Sequence, residues 1–193
     1  NGIDPELYRN IVERETEVEQ LKRTIGRDSR CLIGYVGTFH RWQGVHILIK
    51  AFKLLVSRHQ ATHLVLVGDG PAREELRSLT ASLGLENQVT FTGKVPPGEV
   101  PIYLSLLDFS IIPRPRLPET ETAFPLKAVE ALAAGTTTVA SRLAAIEEFI
   151  QDGINGVLFK PGCENDLAKK LKFLLNHPSL AREFGEKGRQ SVE

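Results

Sequence analysis

CLIGYVGTFHRWQGVHILIKAFKLLV, residues 31–56, reads as a strand, a loop and a helix in succession. Cys31 to Val36 is an unbroken apolar run rich in β-formers, the pattern of a strand covered on both faces. Gly37 to Gly44 is a polar loop bracketed by glycines. From Val45 to Val56, Ile47, Leu48, Ala51, Phe52 and Leu55 recur at helical spacing. Outward from this unit the alternation continues. Further buried strands are expected at His63–Val67, Val89–Phe91, Phe109–Ile112, Thr137–Ala140 and Gly156–Phe159. Helices are expected at 72–83 (Leu76, Leu79 and Leu83 on one face), Val100–Leu107, Pro125–Ala134, Leu143–Ile150, Leu167–Leu175 and 178–191. Pro125 would occupy the first helical position, where its missing N–H costs nothing. Strands and helices alternating at roughly 30-residue intervals mean βαβ units. The expected fold class is α/β, a doubly wound parallel sheet of about six strands with helices on both faces. Such sheets bind ligands at the carboxyl ends of their strands, where strand order reverses.

Composition sets the outer limits. The chain has 193 residues, is 41% hydrophobic and 25% charged, and balances 24 basic against 24 acidic residues. A chain of this size buries roughly 70% of its unfolded surface and sustains its own core. Zero net charge argues against a nucleic-acid binder, which carries a basic excess. Two cysteines make no disulfide framework and suit a reducing, cytoplasmic compartment. No apolar run reaches the roughly 18 residues of a membrane span. Residues 1–28 read as an entry linker or helix, with Leu7, Ile11, Val18 and Leu21 at helical intervals over 5–24; Asn1 to Pro5 reads as a turn. Residues 29–193 read as the sheet domain. The chain has no Met and stops at Val192-Glu193 in a charged, helical-looking segment, so both ends read as cut from something longer.

Several loops carry candidate chemistry. Gly37-Thr38-Phe39-His40-Arg41-Trp42-Gln43-Gly44 precedes a helix N-terminus and either cradles an anion through backbone N–H groups or is an ordinary βα loop. Gly68-Asp69-Gly70-Pro71 lacks the third glycine of the dinucleotide fingerprint, Arg73 standing there, and Gly93-Lys94 lacks the rest of a phosphate-loop motif. Pro118-Glu119-Thr120-Glu121-Thr122-Ala123-Phe124-Pro125-Leu126-Lys127-Ala128-Val129-Glu130 sets acidic and hydroxyl residues before a helix on which Lys127 and Glu130 share a face. Carboxylates so placed either accept from sugar and ribose hydroxyls or merely favour the helix dipole. His59 and His63 are four apart across a helix end and a strand start, a poor metal pair, and Cys31 reads as core rather than catalyst.

Together these segments resemble the C-terminal, donor-binding half of a group 1 retaining glycosyltransferase of the B-type double-Rossmann architecture. The resemblance runs from about residue 2 to the end. It rests on Asn1-Gly2-Ile3-Asp4, IGYVGTFHRWQGVHILIKAF (33–52), LVLVGDGPAREELRSL (64–79), VTFTGKVPPGEVPIYLSLLDFSIIP (89–113) and FPLKAVEALAAGTTTVAS (124–141), in the family's order. It implies a Rossmann-like domain that holds a nucleoside-diphosphate sugar and passes the sugar to an acceptor glycan or glycolipid hydroxyl, with retention. It also implies an acceptor domain absent from this chain, no metal or other cofactor, peripheral membrane contact at most, and a place in polysaccharide assembly. A non-catalytic nucleotide-sugar-binding or interaction module, and a sugar-nucleotide epimerase or phosphorylase of related fold, are the alternatives.

The carry-over to residues is uneven. The family's first loop usually reads Gly-Arg and ends Lys-Gly; here it is Gly37-Thr38 and Gln43-Gly44, so both customary phosphate cations are missing. Arg41, His40, Arg114, Arg116 and Lys127 are the candidate replacements. Lys94 and Val95 stand where family members hold the base. The paired glutamates usually have seven residues between them, which lands on Thr122 counting back from Glu130; Glu121 leaves eight between, a longer spacing used by a subset of the family that Pro125-Leu126-Lys127 resembles. The resemblance thus implies Glu121 on donor-sugar hydroxyls and Glu130 on ribose. The backbone of Ala123, Phe124 and Leu126 would face the phosphates, with Thr122 beside it. Glu121, Lys127 and Arg41 are the implied catalytic groups.

Overall fold

The computed structural model describes Tyr8 and residues 14–25, 31–57 and 61–192. In chain order the elements are α1 (Glu15–Ile25), β1 (Cys31–Val36), α2 (Val45–Val56), β2 (Thr62–Val67), α3 (Arg73–Ser82), β3 (Val89–Gly93), α4 (Val100–Leu106), β4 (Phe109–Ile112), α5 (Pro118–Thr122), α6 (Leu126–Ala133), β5 (Thr137–Ser141), α7 (Ala144–Glu147), β6 (Val157–Phe159), α8 (Glu164–Asn176) and α9 (Pro178–Gln190). Short 3-10 turns stand at Arg41–Gln43 and Pro97–Glu99. The strands form one sheet in the order β3-β2-β1-β4-β5-β6, every pairing parallel.

Alternate side chains of each strand feed cores on opposite faces, as the two-residue period requires. Ile33, Tyr35, Leu64 and Leu66 pack with Leu48 and Phe52 of α2, Leu76 of α3 and Leu171 of α8. Leu32, Val65 and Val67 pack on the other side with Ile25 of α1 and Leu106 of α4. Further along that side, Ala140 and Leu158 meet Ala128 and Leu132 of α6 and Ile146. Helices therefore cover both faces, which explains why the strands carry no polar alternation. Cys31 is partly buried against the first core, as expected of a packing residue, and burial raises its thiol pKa.

Several elements differ from the sequence expectation, among them α8, which begins at Glu164 rather than Leu167, and β3, which runs to Gly93 rather than Phe91. Pro118 to Thr122 is a helical turn rather than open loop. The fully buried Thr120 fixes it: its hydroxyl donates to the Pro115 carbonyl (2.7 Å) and accepts the Leu117 N–H (2.9 Å). Helix α6 begins at Leu126, not Pro125. Pro125 sits outside it at φ −86, ψ 59, and its carbonyl accepts the Ala128 N–H (2.8 Å). Of 143–150 only Ala144–Glu147 is helical, because the Ile146 carbonyl takes both the Phe149 and Ile150 N–H groups and closes the turn. The last helix ends at Gln190 rather than 191. The expected turn at Asn1 to Pro5 and, Tyr8 apart, residues 5–13 of the helix expected over 5–24 lie outside the described residues.

Candidate active site

Strand order reverses between β1 and β4, and the chain leaves both strands into the same space. Gly44 closes the β1 loop at φ +74, where a Cβ would stand 1.9 Å from the carbonyl oxygen of Pro113, just past β4. A cleft of about 610 Å³ opens beside this switch point, lined by Gly37, Thr38, the Gly68–Gly70 loop, Lys94, Val95 and Lys127. That is the place doubly wound sheets use for ligands.

The cleft floor is three interlocked βα loops. Gly37 N–H donates to the Val67 carbonyl (2.9 Å), and Gly68 N–H to the Gly93 carbonyl (2.9 Å). Phe39 N–H donates to Asp69, and Phe39 in turn accepts the Ala72 N–H, each at 2.9 Å. The buried Tyr35 hydroxyl ties down the Thr38 carbonyl (2.9 Å). At Gly68, φ is +130 and a Cβ would stand 1.9 Å from the Gly37 oxygen, so only glycine lets the two backbones touch.

One cation lies on this floor and a second stands behind it. The Lys127 side chain lies across Gly37, whose added Cβ would meet the lysine Cε at 2.1 Å. Behind it stands Arg114, only 3% exposed. Its Nε donates to Gln43 Oε1 and its Nη1 to the Ala123 carbonyl, both at a long 3.4 Å, and its guanidinium lies 5.3 Å from the Trp42 ring centre. Burial lowers the pKa of both groups, and each neighbour of Lys127 matters: Arg114 depresses it further, while Glu130 raises it in part. Among the described residues neither cation has an ion-pair partner. Two desolvated like charges with no carboxylate in ion-pair contact are costly, and Glu130 offsets only part of it. An anion arriving between them would relieve that cost.

The structure separates the other sequence-derived candidates. Gly37, Thr38, Lys94, Val95 and Lys127 line the cleft. Gln43 is buried and serves as acceptor for Arg114, while Gly44 caps α2 against Pro113. Arg41 points away, paired with Glu75 at 2.8 Å on the open surface, and His40 stacks on Trp42. Both carboxylate oxygens of Glu121 are taken, one by Arg116 Nε (2.9 Å), the other by the Ala144 N–H (2.9 Å). Arg116 thereby also lies outside the cleft, its Nη2 donating to the Arg142 carbonyl. Thr122 is exposed, its hydroxyl turned to the Pro118 carbonyl; Ala123 offers its carbonyl to Arg114; Phe124 and Leu126 face solvent. The residues missed as site components are Gly68, Asp69 and Gly70. Their signal was present: two glycines at the carboxyl end of a buried strand.

Glu130 is half-buried on α6, close to the buried Tyr8. Desolvation raises its pKa above 4.5, with Lys127 opposing in part. A carboxyl group with a raised folded-state pKa supports the fold fully below its unfolded value and loses that support as pH rises through the folded value. At neutral pH the ionised Glu130 is therefore a net cost. Glu130→Gln is expected to raise the thermal unfolding midpoint at pH 7 and to raise it less at pH 4; a lower midpoint at pH 7 would refute this.

Among the described residues no group of three His, Cys, Asp or Glu side chains is placed to hold a metal, and no helix is long and apolar enough to cross a membrane. His59, half of the His59/His63 pair, lies outside them.

Comparison with known proteins gives one consistent picture. Residues 17–191 match the family described as "Glycosyl transferases group 1". N-acetyl-alpha-D-glucosaminyl L-malate synthase of Bacillus anthracis is 32% identical over 193 residues, covering 100% of this chain and 47% of its own length. The chain spans about half the length of the curated relatives it matches. In fold it is similar to Anabaena HepE, solved in complex with UDP-glucose (TM-score 0.86, 24% identity, 100% of this chain and 51% of that one). It is similar as well to the C-terminal domain of a glycosyl transferase group 1 protein, LpcC, from Francisella tularensis (TM-score 0.82, 24% identity, 99% and 96%).

Proposed function

This chain belongs to the glycosyl transferases group 1 family, and on that premise we propose that its cleft is the donor half of a retaining glycosyltransferase. The observation that carries the reading is Lys127 lying across Gly37 with the buried Arg114 behind it, bonded to Gln43 at the other end of the same loop, neither having an ion-pair partner among the described residues. A nucleoside-diphosphate sugar brings the missing charge. Its base lies toward Lys94 and Val95, its diphosphate over Gly37 and against Lys127, and its sugar toward Ala123 and Phe124. Glu130 accepts from the ribose hydroxyls.

In the reaction, the bond between the anomeric carbon and the diphosphate oxygen breaks, and both electrons leave with the diphosphate. The acceptor hydroxyl bonds to the anomeric carbon on the same face, and its proton passes to the departing diphosphate oxygen. Charge grows on the leaving diphosphate, where Lys127 is already fixed and water is partly excluded; prearranged charge of that kind lowers the barrier without reorganisation. In this reading the cations do the work a divalent ion would do. Glu121 holds α5 against α7 and acts on the sugar only through the position of that loop.

A non-catalytic module is the alternative if Thr38 and Gln43 are plain losses of phosphate cations. Gln43 argues against it. Its amide oxygen accepts from Arg114, so a cation reaches the same corner from the end of β4. The acceptor, a glycan or glycolipid hydroxyl, is held by an acceptor domain that faces this cleft, on the cytoplasmic side; the chain spans about half the length of its curated relatives.

The stereochemical part is tested on the full-length protein with an α-linked nucleotide sugar, reading the new linkage by NMR coupling constants. An α product is expected. A β product would rule out retention and leave the donor cleft standing.

A further inference from the structure

The chain carries no net charge, yet its charges are not evenly spread. Helices α2 and α8 cover one face of the sheet and share its core, Leu48, Phe52 and Leu55 from the first with Leu167, Leu171 and Leu174 from the second. Their outward faces carry charge of one sign. From Val45 to Ser57 the charged side chains are Lys50 and Lys53; from Leu167 to Asn176 they are Lys169, Lys170 and Lys172. The two acids of α8, Glu164 and Asp166, stand in its first turn, and Asp166 accepts the Lys160 backbone N–H (2.7 Å). Among the described residues none of the five lysines has an ion-pair partner. Lys53 Nζ donates to the Leu83 carbonyl (2.6 Å), a neutral acceptor. Two apolar side chains stand in water among these lysines, Leu54 at 47% exposure and Phe173 at 45%. Lys53, Leu54, Ser57, Lys169 and Lys172 line one groove of about 570 Å³, so the two helices present a single surface. On α8, Phe173 follows Lys169 by one helical turn and points away from the buried leucines, its ring stacked on His177 with centroids 4.4 Å apart.

We propose that the outer face of α2 and α8 is a docking surface for an anionic lipid bilayer. Charge complementarity carries the inference: five unpaired lysines and no acid beyond the first turn of α8, in a chain whose basic and acidic residues balance. The apolar pair decides the kind of partner. Leu54 and Phe173 enter the boundary between headgroups and acyl chains, while the lysine stems lie along it and lift their ammonium groups to the phosphates. Lysines spread over two helices, rather than gathered round one pocket, suit an extended charged plane better than a single acidic segment. The face shares no residue with the lining of the cleft, so the inference stands apart from the donor reading. Helix α2 begins at Gly44, which closes the β1 loop, and a bilayer under its outer face lies at the flank of the cleft.

The test is co-sedimentation of the folded chain with vesicles of equimolar phosphatidylglycerol and phosphatidylcholine, and with vesicles of phosphatidylcholine alone, at low and high salt. Wild type is expected to bind the anionic vesicles, to ignore the neutral ones and to come off in high salt. Lys169→Glu with Lys172→Glu is expected to weaken binding at least about 20-fold, roughly fivefold for each lysine lost. Leu54→Ser with Phe173→Ser is expected to weaken it about three- to tenfold and to leave the salt dependence in place. The same change of net charge on the opposite face of the sheet, Lys22→Glu with Arg23→Glu on α1, is expected to leave binding within about twofold. Unfolding midpoints near that of wild type confirm that the variants are folded. No binding to anionic vesicles, equal binding to neutral ones, or binding that survives Lys169→Glu with Lys172→Glu overturns the proposal. Binding to polyglutamate without binding to vesicles overturns it as well, and assigns the face to an acidic protein segment.

Discussion

Lys127→Ala is expected to weaken nucleoside-diphosphate binding about 10- to 100-fold, the loss of one charge-assisted contact of about 1.5–3 kcal/mol. The same variant is expected to be no less stable than wild type without ligand. Its side chain is a desolvated cation beside Arg114, so removing it relieves repulsion while opening little space in the core. Loss of binding without loss of stability separates a ligand cation from a structural one. The pH dependence runs the same way. The Lys127 pKa is held below the usual 10.5, so the lysine sheds its proton earlier on the alkaline side than a free lysine does. A bound diphosphate favours the charged form. Affinity therefore falls as pH rises through the depressed value toward 10.5, and this decline is expected to shrink in Lys127→Ala. Arg41→Ala is the control: its guanidinium is paired with Glu75 on the surface, and affinity is expected to stay within about twofold. Calorimetric titration of the three proteins at two pH values checks all of this. Equal affinity in wild type and Lys127→Ala would remove Lys127 from the site.

Gly68→Ala is expected to be the most damaging single methyl in the cleft. The new Cβ would stand 1.9 Å from the Gly37 oxygen and 2.9 Å from its carbonyl carbon, at φ +130. Backbone cannot swing aside as a side-chain tip can. Gly37 must move, and with it the Gly37–Val67 and Gly68–Gly93 bonds that lock the three loops. The expected cost is about 3–5 kcal/mol, at the upper end for a single substitution, with the cleft opened as well. Gly84→Ala calibrates it. Gly84 also has a positive φ (+65), but nothing lies within 4 Å of its added Cβ. It should lose only the left-handed penalty of about 1–2 kcal/mol. Denaturant unfolding measures both; comparable losses would mean that the Gly37–Gly68 contact carries no special weight.

The two strands nearest the switch point, β1 and β4, end where their apolar runs end, because strands buried on both faces cannot hide a boundary behind polar alternation. Helix α5 was invisible because its acids and threonines read as cap and loop signals. It forms through a tertiary fact, the burial of Thr120 against Pro115. The site divides in the same manner. Loop glycines and Lys127 are local signals and were readable. Arg114 was one name among five, since its role depends on Gln43, 71 positions earlier, which only the β1–β4 pairing brings near. Glu121 is a similar case. The resemblance implies a place on sugar hydroxyls, and no spacing shows that the Ala144 N–H, 23 residues on, would be 2.9 Å from its carboxylate.

The central claim is that the cleft at the β1–β4 switch point binds a diphosphate through Lys127 and Arg114. A calorimetric titration of the folded chain with UDP, GDP and ADP tests it most directly. One half of a two-domain site should bind weakly, with a dissociation constant near ~1 mM, about −4 kcal/mol. The expected result is saturable heat with a preference for one of the three and its loss in Lys127→Ala. A folded sample that gives no heat with any of them, or whose heat survives Lys127→Ala unchanged, would contradict the account.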